Sequence, residues 1–128
     1  ESQTNLCYDA VAAAEKMFTA VKNNNIILIA VKGYSTYSSS DPEHQTGLAL
    51  DVSSLNISYY TAARFASSAE GQWVAQNCYK YGFIIRYPSG KENVTGYAYN
   101  PAHLRYVGID LATYLHDNNL TMEEFFSK

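Results

Sequence analysis

The stretch Asp41-Pro42-Glu43-His44-Gln45-Thr46-Gly47-Leu48-Ala49-Leu50-Asp51-Val52 constrains this chain more than any other. After Gly47 the pattern alternates: Leu48, Leu50 and Val52 share one face of a strand, and Ala49, Asp51 and Ser53 share the other. Asp51 can therefore face a cleft instead of the apolar layer. A loop histidine and a strand aspartate suit a borderline metal such as zinc, which accepts imidazole nitrogen and carboxylate oxygen. Catalytic zinc usually takes three protein ligands and keeps one position open. His103, in Asn100-Pro101-Ala102-His103-Leu104-Arg105-Tyr106-Val107-Gly108, is the candidate third ligand.

With 128 residues, 47% hydrophobic and 16% charged, the chain suits one globular domain spanning 1–128. Its formal charge of −3 gives no electrostatic reason for a nucleic-acid or anionic-membrane partner. No apolar run approaches the roughly 20 residues that span a bilayer. The opening at Glu1 without Met suggests a processed or trimmed fragment, from which a signal peptide or anchor could have been lost. Cys7 and Cys78 leave two options open, a disulfide in an exported protein or two buried thiols.

The order of elements points to an α+β domain, a small, mostly antiparallel sheet packed with helices. Val11, Ala14, Met17, Phe18 and Val21 predict an amphipathic helix over about Leu6–Asn24, ended by Asn23-Asn24-Asn25. Ile26–Val31 reads as a central strand covered on both faces. Ser53–Ser58 is expected as a loop and Tyr59–Ala66 as a short helix. Another helix is expected over Gln72–Tyr81, stopped by Gly82, and then a strand over Phe83–Tyr87. Pro88-Ser89-Gly90-Lys91 is a turn. Val94–Tyr99 and Leu104–Val107 are expected as strands around an Asn100–His103 corner. A helix from about Ile109 to His116 is stopped by Asp117-Asn118-Asn119, and Thr121-Met122-Glu123-Glu124 has the capping-box pattern that opens the last one.

His44-x-x-Gly47-x-Ala49-x-Asp51 resembles the zinc signature of VanY-type D-alanyl-D-alanine carboxypeptidases, whose relatives include L,D-carboxypeptidases. Glu70-Gly71-Gln72-Trp73, Asn77, Tyr81 to Pro88 and His103 to Gly108 follow in the family's order, so the resemblance runs from about Leu6 to Phe126. It implies zinc held by His44, Asp51 and His103 in a cleft over the sheet. It also implies an extracytoplasmic place, in the bacterial cell wall or secreted. The expected partner is a peptidoglycan stem peptide or a wall-associated protein.

The other family positions have changed. The general-base Glu, three positions before the second His, is Asn100, and an amide takes no proton from water near neutral pH. The Trp position is Ala102, the Ser position Pro42, and the Arg position Ser35 or Thr36. A helix that the family carries after this segment is missing between Ser35 and His44. Arg86 and Arg105 could grip a substrate carboxylate, although a structural ion pair is the commoner use of at least one of them. The resemblance thus implies either a carboxypeptidase-like domain with hydrolysis lost or strongly impaired, a pseudoenzyme, or an active D,D- or L,D-carboxypeptidase. The twelve tyrosines suggest a stacking surface for sugar or peptide, with half or more of them in core and strands. His116, close to a helix C-terminus, suits the local dipole.

Overall fold

The computed structural model describes residues 8–32, 48–54 and 62–127. Four strands form one antiparallel sheet: β1 (Leu28–Lys32), β2 (Ala49–Ser54), β3 (Phe83–Tyr87) and β4 (Asn100–Tyr106), in the spatial order β1-β2-β4-β3. The helices are α1 (Tyr8–Asn23), α2 (Ala62–Ser67), α3 (Ala69–Asn77), α4 (Glu92–Thr95), α5 (Ile109–Asn118) and α6 (Met122–Phe126). This is the α+β architecture expected from the sequence. Among the described residues no helix is long and apolar enough to cross a membrane.

Period-two burial explains how the sheet divides its faces. Leu50 pairs with Leu104 and Phe83 with Tyr106, and Leu50, Leu104, Phe83, Val52 and Ala102 join one cluster with Met17, Val21, Phe65 and Val74. That cluster holds α1, α2 and α3 against one face. Phe65, Phe83, Met17 and Leu104 are wholly buried, each contributing about 1.5–3 kcal/mol of apolar transfer. Ile84, one step out of phase with Phe83, packs instead with Ala112 and Leu115 of α5 and with Leu120, Met122 and Phe125.

Local punctuation works largely as the sequence implies. Asn25 (φ 63°) and Asn119 (φ 54°) adopt the left-handed region after α1 and α5. Thr121 and Glu124 form the capping box of α6, each satisfying the other's backbone N–H. Gly82 ends the 3₁₀ turn Cys78–Tyr81 that follows α3. At φ 89°, with Tyr106 Cε1 only 2.8 Å from where a Cβ would stand, that position requires glycine. Gly71 meets a different constraint, since a Cβ there would lie 1.8 Å from the Phe65 carbonyl oxygen. Its bareness lets α3 close onto the end of α2. Burial also pushes the free Cys78 thiol up to about 12, against a partial lowering by a backbone hydrogen bond. Cys7 lies outside the described residues.

Five expectations need correction. β1 is an edge strand of the described sheet, paired with β2, and Ile27 before it is 55% exposed. A short apolar run does not by itself distinguish an edge from a centre. Val94–Tyr99 is not a strand: Glu92–Thr95 is helical, Gly96 (φ 80°) ends it, and the Thr95 hydroxyl accepts the Tyr97 N–H at 3.2 Å. Here Thr-Gly chemistry outweighs β-branched propensity. Asn100–His103 is not a corner but the first half of β4, and Pro101 falls where the β3–β4 register shifts, between Ile85↔Leu104 and Tyr87↔Asn100. Ser53 and Ser54 belong to β2 and not to a loop, while 55–61 lie outside the described residues. The third helix also begins earlier than expected, at Ala69, because the Ser68 hydroxyl accepts the Gly71 N–H at 3.0 Å.

Candidate metal centre

The register that buries Leu50 against Leu104 also sets Asp51 opposite His103. Because side chains alternate, the apolar pair enters the core and the next pair emerges together on the opposite face. There His103 Nδ1 and Asp51 Oδ1 stand 2.8 Å apart. An ionised carboxylate only accepts, so Nδ1 carries the hydrogen and donates it. The His103 side chain is 6% exposed and that of Asp51 28%, so the pair sits at the floor of the face with its carboxylate toward the opening.

An aromatic ring lies against His103, backed by a second. Tyr87 stacks on the imidazole with centroids 5.2 Å apart and planes 18° from parallel, and Tyr97 lies 4.6 Å from Tyr87. The Arg86 guanidinium sits 4.9 Å from the Tyr87 ring centre and pairs with Glu123 of α6 at 2.9 Å. Lys91, at the end of the turn after β3, pairs with Glu124 at 3.0 Å. The first turn of α6 is thereby tied to both sides of that turn. The Thr121 N–H and then Lys91 hold the Glu124 carboxyl below its ordinary value.

Of the residues that the sequence nominates, the structure brings Asp51 and His103 together. Asn100 lies in the same strand, and its Oδ1 accepts the Ala102 N–H at 3.2 Å. This local bond braces the backbone around Pro101. Ala102 is 4% exposed and belongs to the apolar cluster around Leu104. Arg86 is engaged with Glu123, a structural ion pair. His44, Ser35 and Pro42 lie outside the described residues. Among the described residues no three of His, Cys, Asp and Glu group to hold a metal ion. The two donors that are placed, one imidazole nitrogen and one carboxylate oxygen on adjacent strands, fit zinc by type. His116 is exposed and stacks on Tyr79 at 3.8 Å, away from this group.

Sequence reasoning missed Tyr87, Tyr97 and Glu123. A tyrosine beside an arginine at a strand end was the available signal for the first. Glu123 was visible only as one acid of a capping box.

Known proteins identify the family. The family model for D-alanyl-D-alanine carboxypeptidase (VanY) matches residues 38–109, more than half of the chain. YodJ of Bacillus subtilis (strain 168), named as a candidate carboxypeptidase, is 42% identical over 144 residues, covering 94% of this chain and 53% of YodJ. The chain thus spans about half the length of that relative. The matched span also exceeds the 128 residues of this chain, so YodJ carries residues there that this chain lacks. The LdcB LD-carboxypeptidase, whose structure addresses peptidoglycan recognition, superposes with a TM-score of 0.90 at 41% identity, covering 96% of this chain and 69% of LdcB. A VanY D,D-pentapeptidase from a VanB-type resistance cassette, solved with Zn(II), superposes with a TM-score of 0.78 at 25% identity, covering 94% and 83%. This chain belongs to the VanY family of D-alanyl-D-alanine carboxypeptidases.

Proposed function

We propose that this chain is a zinc-binding VanY-type domain, 1–128, of the bacterial cell envelope, outside the cytoplasm, that engages peptidoglycan stem peptides with hydrolysis lost or strongly impaired. His44, Asp51 and His103 would hold the ion. Zinc supplies a polarised water and a Lewis acid for the peptide carbonyl. The residues of this chain determine whether that water can be used. The Asp51–His103 pair supports retention of the metal, since it sets an imidazole nitrogen and a carboxylate oxygen, both donors of the kind zinc takes, side by side on adjacent strands.

The observation that carries the loss of activity is Asn100, whose amide oxygen is spent on the Ala102 N–H and which has no basic atom to receive a proton. Absence of a general base costs roughly 10²–10⁴ in rate. Ser35 (or its neighbour Thr36) and Pro42, at positions where the family has an arginine and a serine, add to the loss. With Ala102 in place of an aromatic wall, the remaining use of the cleft is to bind a wall peptide or a wall-associated protein. The Asp51–His103 geometry is also what an active D,D- or L,D-carboxypeptidase would show, so that reading is tested alongside.

Elemental analysis of protein purified without added metal is expected to give one zinc per chain, lost in His44→Ala. Stem tetra- and pentapeptides are expected to release no D-alanine at high protein concentration, and Asn100→Glu is expected to raise release by roughly 10²-fold or more. Release by the unmodified chain that disappears in His103→Ala would overturn the loss of activity and establish the active enzyme.

A further inference from the structure

The metal-facing side of His103 is held by Asp51, but its ring plane is held by something else. Tyr87 lies nearly parallel to the imidazole, 18° off, at 5.2 Å. Tyr87 is itself constrained: the Arg86 guanidinium is 4.9 Å from its ring centre, and Arg86 is drawn toward α6 by Glu123 at 2.9 Å. The Arg86 side chain is only 13% exposed, so this ion pair is shielded more than a surface pair would be. Glu123 is in turn fixed in the first turn of α6, which the Thr121–Glu124 capping box anchors. A continuous line of contacts therefore runs from α6 through Glu123, Arg86 and Tyr87 to a candidate ligand on β4.

Imidazole ligands depend on such neighbours, because a nitrogen lone pair is directional and a ring free to rotate presents it only part of the time. The usual device is a hydrogen bond to the far ring nitrogen. Here a flat aromatic face restrains rotation of the ring out of its plane, while the Asp51 contact defines which nitrogen faces the site.

We propose that Tyr87, held by the Arg86–Glu123 ion pair, is a positioning residue that sets the ring plane of His103 for metal binding. The inference rests on the zinc reading for its consequence, but the ring geometry is measurable without any metal. A stacked tyrosine shields the imidazole carbon protons and moves their NMR signals to higher field. In the metal-free protein Tyr87→Leu is expected to move the His103 carbon-proton signals to lower field, with the remaining amide spectrum preserved, and Tyr87→Phe is expected to leave them in place. Glu123→Gln, at a half-buried surface position, is expected to move them in the same direction by less. On zinc titration Tyr87→Leu is expected to weaken affinity by about 10–100-fold, and Tyr87→Phe to restore it to within a few-fold of the starting protein.

His103 signals that stay unmoved in both Tyr87→Leu and Glu123→Gln would overturn the proposal. So would an unchanged zinc affinity in a folded Tyr87→Leu protein. If Tyr87→Leu does not fold, the Glu123→Gln signals decide. If the starting protein takes up no zinc, that result refutes the metal reading, and the metal-free signals still decide whether Tyr87 sets the ring.

Discussion

The two faces of strands β2 and β4 are built on opposite principles. On one, Leu50, Val52, Ala102 and Leu104 join Phe65, Phe83 and Met17 in a cluster where each side chain touches several others. On the other, Asp51, His103 and Tyr87 depend on a few directed contacts, one at 2.8 Å and one stacked ring. The same register serves both, so the backbone cannot slip without losing core and site together. What differs is redundancy. A core side chain is replaceable in kind at the cost of a cavity, while a site side chain has no substitute that keeps both its shape and its donor atom.

The comparison can be broken first on the core side. Phe65→Ala is expected to lower unfolding free energy by about 3–5 kcal/mol, read by urea denaturation, while the folded fraction retains its zinc stoichiometry. Gly71→Ala should follow at about 1–3 kcal/mol, toward the upper end because the blocking atom is the Phe65 carbonyl and not a movable side chain. On the site side, Asp51→Asn is expected to abolish zinc retention on dialysis yet cost at most about 1.5–3 kcal/mol in the metal-free protein, the net worth of one hydrogen bond to a charged group. An equal loss of stability and metal in all three variants would show that the faces are not separable.

The smallest effect concerns pH. The folded protein holds the Glu124 carboxyl below its ordinary 4.5, so the group's contribution is complete above that value and is lost as pH falls through the lower folded value. Glu124→Gln should therefore flatten the acid limb of a melting-temperature profile and leave its neutral plateau less affected by acid. An acid limb of unchanged slope would place the sensitivity elsewhere.

Much of this arrangement was legible in the sequence because it rests on local chemistry. Alternation around Asp51 indicated which face that residue would take, and Asn25, Gly82, Asn119 and Thr121 marked ends that the chain respects. Non-local facts were less accessible. Nothing within Ile26–Val31 says how many neighbours a strand will find, and Pro101 looked like a corner because its strand tolerates it only through a register shift with β3. The placement of His103 opposite Asp51 could be anticipated from the family's order of motifs, but not from spacing, since the two are 52 positions apart. Tyr87 carried only a faint local signal, an arginine beside it at a strand end. Its role is created by three elements, β3, β4 and α6, meeting in space.

Cys78 gives the molecule a built-in stopwatch. With its thiol pushed up to about 12, Cys78 presents almost no thiolate at neutral pH in the folded protein, and so almost no reaction with an alkylating reagent. Only excursions that bring the 3₁₀ turn and the end of α3 into water expose a reactive sulfur. In a Cys7→Ser protein, the labelling rate of that one sulfur then reports how often the core face opens.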